Sequence, residues 1–245
     1  MGIVRGMAAD LASPALTGIR RLSALDTVRA RIALAIELGL LAPGERLPPN
    51  GEIASALGVG DITVRRALVS LCEDGVLVRR RGRTGGTHVA LDAPAGRVGE
   101  VGAYRESSAE VRDLIDHRLV IEAGLAQLVA LRRSDEDVEK LRDLVRRMDA
   151  ATGWAEFHDL DAEFHLTVAA SGAPAAAVKQ YSGVLHELYR FYLPYRLSAL
   201  RASNREHEVL VRAIAARDPD EAARVTRAHV GELHRTMFVG LSDQV

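Results

Sequence analysis

From residue 109 to residue 238 apolar side chains recur at three- and four-residue spacing, and no stretch alternates apolar and polar residues as a half-buried strand would. The pattern predicts helices at 109–132, 135–151, 154–171, 174–199, 203–216 and 218–238, divided by Ser134-Asp135, Thr152-Gly153, Gly172-Ala173-Pro174 and Asp218-Pro219. Successive amphipathic helices with short connections bury their apolar stripes against one another, so this half is expected to be an all-α antiparallel bundle.

The first part of the chain reads differently. Leu25, Val28, Ile32 and Ile36 mark one helix, which Gly39 and Pro43-Gly44 end. A short helix over Glu52–Leu57 is closed by Gly58, and Asp61-Ile62-Thr63-Val64 opens a third running to about Glu73, a helix-turn-helix arrangement. After Gly75, Val76-Leu77-Val78 and Thr87-His88-Val89-Ala90 flank the basic tip Arg79-Arg80-Arg81-Gly82-Arg83-Thr84-Gly85-Gly86 as a two-stranded ribbon. Together these predict a mostly α protein in which a winged helix-turn-helix over 22–91 precedes the bundle over 109–245. Residues 1–21, rich in Ala, Gly and Ser, are expected to form a flexible arm. Residues 92–108, with Pro94, Gly96, Gly99, Gly102 and Ser107-Ser108, are expected to link the domains.

Charge separates the same two parts. Residues 1–91 carry 12 Arg against 8 acidic residues, and residues 92–245 carry 20 basic against 25 acidic, within a net charge of −1. Of the 32 basic residues only Lys140 and Lys179 are lysines, so the cations are almost all guanidinium groups, which suit phosphate and bidentate base contacts. Thr63, Arg65 and Arg66 lie in the first turns of the third helix, where side chains reach major-groove edges or phosphates. Arg81 and Arg83 on the ribbon can enter a minor groove or hold phosphate. Basic clusters on small helices also occur as solvated faces, but here the cations converge on two elements that one side of this fold presents, which favours DNA. The single cysteine, Cys72, excludes an intrachain disulfide and a multi-cysteine metal site. No run approaches the roughly 18 apolar residues of a membrane span. A cytoplasmic protein is expected.

The turn Ala42-Pro43-Gly44-Glu45-Arg46-Leu47-Pro48, the core Ile53-Ala54…Leu57-Gly58-Val59, the run Thr63-Val64-Arg65-Arg66-Ala67-Leu68 and the wing end Gly85-Gly86-Thr87-His88-Val89 resemble the GntR family of bacterial transcription regulators. Two positions depart from it: Gly51 and Asp61 stand where the family usually has arginines. Asp61 can accept a hydrogen bond from a cytosine amino group, but helix capping is the favoured expectation, since Gly60 stands where the family often supplies a serine cap.

The helical domain resembles the FCD branch of that family through Arg118-Leu119-Val120-Ile121-Glu122, Asp161-Ala162-Glu163-Phe164-His165, Glu206-His207-Glu208-Val209-Leu210 and Ala222…His229-Val230. The resemblance implies a metal site made by Asp161, His165, His207 and His229. The residue types agree: Asp161 and His165 are one turn apart on one helical face, and His207 and His229 lie on two further helices. Such a set suits Zn²⁺, Ni²⁺, Mn²⁺ or Fe²⁺, with zinc favoured. Arg118 and Glu122 also share a face. They form either an i,i+4 ion pair or, as the resemblance implies, a site where Arg118 grips an effector carboxylate. His158, near the face of His165, is expected to line the pocket. Tyr189, Tyr192, Tyr195 and Arg196 either line it or pack. His88, His117, His186 and His234 are given no role.

The resemblance implies a homodimeric repressor that binds a palindromic DNA operator and responds to a small carboxylate beside a divalent metal, with no enzymatic activity. Two alternatives stand beside it: a metal phosphohydrolase of the HD type, from the dipeptide His158-Asp159, and a constitutive DNA-binding protein with a purely structural metal.

Overall fold

A computed structural model describes residues 22–82, 85–94 and 96–237. The expected flexible arm over 1–21, wing residue Arg83 and the last eight residues lie outside the described residues. The chain forms α1 (Ala24–Glu37), α2 (Asn50–Leu57), α3 (Asp61–Glu73), β1 (Leu77–Arg80), β2 (Gly86–Val89), α4 (Glu100–Arg105), α5 (Ser108–Arg132), α6 (Asp135–Ala150), α7 (Trp154–Ala170), α8 (Ala175–Tyr189), α9 (Leu197–Ala215) and α10 (Pro219–Thr236).

In the winged helix, Ser23 caps α1 by accepting from the Asp26 amide. Gly58 ends α2 at φ 66°, a left-handed conformation that glycine adopts without Cβ strain, and this sets the turn into α3. β1 and β2 pair antiparallel with Leu77 opposite Val89 and Arg80 opposite Gly86. Ile53, Val64, Leu68 and Leu71 bury the inner faces of α2 and α3 against Val28 and Ile32 of α1.

The stretch 92–108, expected to be a linker, is packed. It carries α4, and Val98, Val101 and Tyr104 join a core running from the winged helix into α5 and the turn after α8. Three apolar side chains at three-residue spacing among the glycines are enough to seat it on α1.

In the bundle, α5 lies along α10, while α7 packs on α6 and α8 on α5. Ser134 and Asp137 form a reciprocal capping box at the start of α6. Asp218 caps α10, whose first residue is Pro219. Gly172 lets the α7–α8 turn touch α5, since a Cβ there meets Arg132 Cβ at 3.0 Å. One expected helix divides. The segment 174–199 ends at Tyr189, and α9 begins at Leu197 rather than at 203. Pro194 lacks an amide donor and disfavours helix at the residue before it, so the tyrosine-rich stretch between α8 and α9 becomes a turn.

Candidate functional site

The helix-turn-helix presents Arg65 and Arg66, both exposed, on the outer face of α3, with Thr63 half-buried beside them. Arg79, Arg80 and Arg81 are exposed on the wing. Asp61 is the first residue of α3 rather than its cap. Gly60 occupies the cap position and offers no side-chain hydrogen bond, so the capping role expected of Asp61 is not observed. Its carboxylate lies in the first turn, where the helix dipole favours negative charge.

The four expected metal ligands meet inside the bundle. Asp161 and His165 come from α7, His207 from α9 and His229 from α10, all buried. One ligand nitrogen from each of the three imidazoles lies within 4.8 Å of the others. Asp161 Oδ1 is 3.8 Å from His165 Nε2 and 3.6 Å from His207 Nε2.

Each ring is held by its outer nitrogen. His165 Nδ1 faces Glu122 Oε1 at 2.7 Å, His229 Nδ1 faces Glu206 Oε2 at 2.8 Å, and His207 Nδ1 faces Asn204 Oδ1 at 3.3 Å. The Asn204 amide nitrogen donates to Val145 O and Asp149 Oδ1, which leaves its oxygen as the acceptor for His207. An ionised carboxylate and an amide oxygen can only accept, so all three rings donate from Nδ1 and turn Nε2 inward, His165 and His207 as the Nδ1-protonated tautomer. Arg118 Nη2, which can only donate, lies 2.9 Å from His165 Nε2 and agrees with that tautomer. His207 Nε2 and His229 Nε2 face each other 3.2 Å apart. One cation could bind to both nitrogens, and the carboxylate or amide behind each ring is the usual support of a metal-bound histidine.

Burial holds the His165 and His207 imidazoles below their usual pKa, His207 well below with His229 adding to the shift, so both are neutral donors. Burial pushes the Asp161 carboxyl up, but His165, His207, the Tyr189 hydroxyl and Arg118 outweigh it and hold the group at about 2.

Arg118 and Glu122 are fully buried on α5. Arg118 Nε donates to Glu122 Oε2 at 2.6 Å, and Arg118 Nη1 donates to the Tyr192 hydroxyl at 3.1 Å. The i,i+4 ion pair is therefore present, with the rest of the guanidinium turned toward the histidine cluster. Beside the cluster a cavity of about 440 Å³ is lined by Trp154, His158, Asp161, Tyr192, Tyr195 and His229 among others. His158 is on its wall as expected, its pKa pushed down to about 4 by burial and by Arg31. Arg196 points away and donates to Gly39 O at 2.8 Å. Asp159 is exposed and lines a different hollow, between the domains, so the HD dipeptide does not join the cluster.

Sequence reasoning left Asn204 and Glu206 without a role and left Tyr189 between lining the pocket and packing. Tyr189 donates its hydroxyl to Asp161 Oδ2 at 2.6 Å. Glu206 is adjacent to His207 in the chain and Asn204 lies three positions before it, and that proximity was the available signal. Glu206, however, serves His229 on another helix.

A winged helix-turn-helix joined to a helical domain with an inward histidine cluster defines a two-domain DNA-binding transcription regulator. The family model for bacterial regulatory proteins of the gntR family matches residues 24–89, and that for the FCD domain matches residues 113–232. The chain is 33% identical over 214 residues to a proposed HTH-type transcriptional regulator, RmpR, of Mycobacterium gastri, covering 84% of this chain and 77% of that protein. It is 30% identical over 237 residues to the proposed L-lactate dehydrogenase operon regulatory protein of Escherichia coli K12, covering 89% of this chain and 87% of the relative. Among solved structures, E. coli McbR/YncC has a TM-score of 0.48 at 17% identity, over 91% of this chain and 99% of that one. The chain belongs to the GntR family of bacterial transcription regulators, in its FCD branch. Relatives named as transcription regulators leave the phosphohydrolase alternative without support. No helix among the described residues is long and apolar enough to cross a membrane.

Proposed function

We propose that this regulator binds a palindromic operator as a homodimer in the cytoplasm, and that a small organic acid bound beside a divalent ion in the helical domain controls its affinity for DNA, with repression as the output. Residues 22–91 would read DNA through Thr63, Arg65, Arg66, Arg81 and Arg83, and residues 109–245 would sense the acid and dimerise, joined through 92–108. Two winged helices related by a two-fold axis suit a symmetric operator.

The observation that carries the sensing half is the inward-facing pair of nitrogens, His207 Nε2 and His229 Nε2, 3.2 Å apart. Asp161, His165, His207 and His229 would hold the ion, zinc being the favoured metal for this nitrogen-and-oxygen set. When bound, the ion supplies Lewis-acid attraction for carboxylate oxygens. Arg118 supports an anionic effector independently. Its Nη2 now uses His165 Nε2 as acceptor, and a cation on that nitrogen would take the acceptor away and set two positive centres side by side. A carboxylate supplies both an acceptor and the compensating charge. His158 and Tyr192, on the cavity wall, would contact the body of the acid.

A purely structural metal is distinguished by thermal shift. Zinc-loaded protein is expected to gain further stability from small carboxylic acids, with the gain lost in Arg118→Gln. A site that responds to chelator but to no member of a carboxylate panel would leave only the structural role.

A further inference from the structure

Arg31 sits on α1 in the winged-helix domain, yet it is 1% exposed and its hydrogen bonds reach across the domain boundary. Its Nε donates to Tyr192 O at 2.6 Å, in the turn after α8, and its Nη2 to Tyr189 O at 3.1 Å, at the end of α8, while Nη1 donates to Leu57 O at 3.3 Å at the end of α2. Both tyrosines whose carbonyls it holds also touch the site with their hydroxyls. Tyr189 donates to Asp161, and Tyr192 accepts from Arg118. The same turn is held at two further points, by the Tyr104 hydroxyl on Arg190 O at 3.3 Å and by Arg196 on Gly39 O.

We infer that Arg31 is a positioning residue that couples the histidine cluster to the winged helix: it fixes the turn after α8, so that a rearrangement at Asp161 or Arg118 is passed through Tyr189 and Tyr192 to α1 and the end of α2. The inference rests on the proposed sensing role of the cluster. The physical basis is the planar fork of the guanidinium, which spans three carbonyls on two domains at once and tolerates little sliding between them. Its acceptors are all neutral carbonyls, so the buried charge is held by this geometry alone. An ion in the cluster would engage Asp161, to which Tyr189 donates, and take the acceptor of Arg118 Nη2, on the guanidinium that also donates to Tyr192, and so would disturb both hydroxyl contacts together. The competing role is a plain cap for the last carbonyls of α8, which stabilises but transmits nothing.

The test uses the full chain stripped of metal, with Zn²⁺ alone as the probe. In the unmodified protein, zinc loading is expected to change amide exchange in α7 and α9 and also, by about tenfold or more, in α1 and at residues 57–60. In Arg31→Met the response in α7 and α9 persists, with zinc affinity within about threefold of the parent, while the response in α1 and at 57–60 disappears. Arg31→Lys keeps the buried cation but not the fork, and is expected to weaken the distant response; it serves as the variant if Arg31→Met does not fold. An undiminished distant response in either variant overturns the inference, as does its absence in the parent while zinc binds. If the parent binds no zinc, the metal-based reading fails, and calorimetry then judges the coupling. The parent is expected to unfold in one transition and the Arg31 variants in two, and variants that still unfold in one overturn it.

Discussion

On α3 and the wing, Arg65, Arg66 and Arg81 stand exposed in water, whereas in the helical domain Arg118, Glu122 and His165 are almost completely sealed from it. The exposed cations keep their hydration, ask nothing of the surrounding fold and remain available to a polyanion, whose counterions they displace on binding. The buried groups have lost their hydration, and each is held by a specific partner: Arg118 by Glu122 and Tyr192, and His165 by Glu122. A buried charge without its partner is strongly destabilising. The DNA face can therefore tolerate substitution without unfolding, while the histidine cluster is tied to the integrity of the bundle.

The sharpest way to break this contrast is Glu122→Ala. It strands the Arg118 guanidinium and the outer nitrogen of His165, and is expected to cost about 3–5 kcal/mol in urea unfolding. The double change Arg118→Met/Glu122→Leu is expected to cost clearly less, because it removes both charges together. Equal costs would mean that the pair is not what holds the centre. Next in size, Arg65→Ala should weaken binding to the cognate operator by about 1–3 kcal/mol in fluorescence anisotropy. Its unfolding midpoint should stay at the parent value, as for most exposed substitutions; a lowered midpoint would show that α3 depends on this cation for folding.

Glu206→Gln sharpens the comparison within the helical domain. Glu206 is partly exposed and orients His229, so its loss should lower zinc affinity roughly 10–100-fold by competition with a chelator, while stability without metal is nearly unchanged. Mild acid also acts on the metal-free protein. The folded-state pKa of His158 is depressed to about 4, below the ordinary 6.5 of the unfolded chain. Its contribution is thus complete above 6.5 and is lost as the pH falls from there toward 4, because the unfolded state takes up the proton first. His158→Phe should flatten that part of the stability profile, and an unchanged slope would remove His158 as its source.

The parts of the site legible in the chain are those whose geometry is local. Asp161 and His165, or Arg118 and Glu122, share a face because four residues make about one helical turn, whatever surrounds them. Asn204 and Glu206 were not legible as supports. Glu206 turns to His229, 23 positions later, and only the packing of α9 on α10 brings the two together. The helix expected over 174–199 failed for a related reason. Tyr189, Tyr192 and Tyr195 continue a helical apolar spacing through Pro194, and spacing alone does not record a missing amide donor.

The sequence by itself determined the winged helix-turn-helix, the helices of the bundle and the residue types of the cluster, because periodicity, caps and turn glycines act over a few neighbouring residues. Tertiary structure alone decided which nitrogen of each histidine faces inward, which carboxylate or amide stands behind it, and that Arg31 of the DNA-binding domain holds the Tyr189 and Tyr192 carbonyls beside the cluster. Those relations depend on how separate helices are oriented against one another, a property of the assembled core that no single stretch of chain encodes.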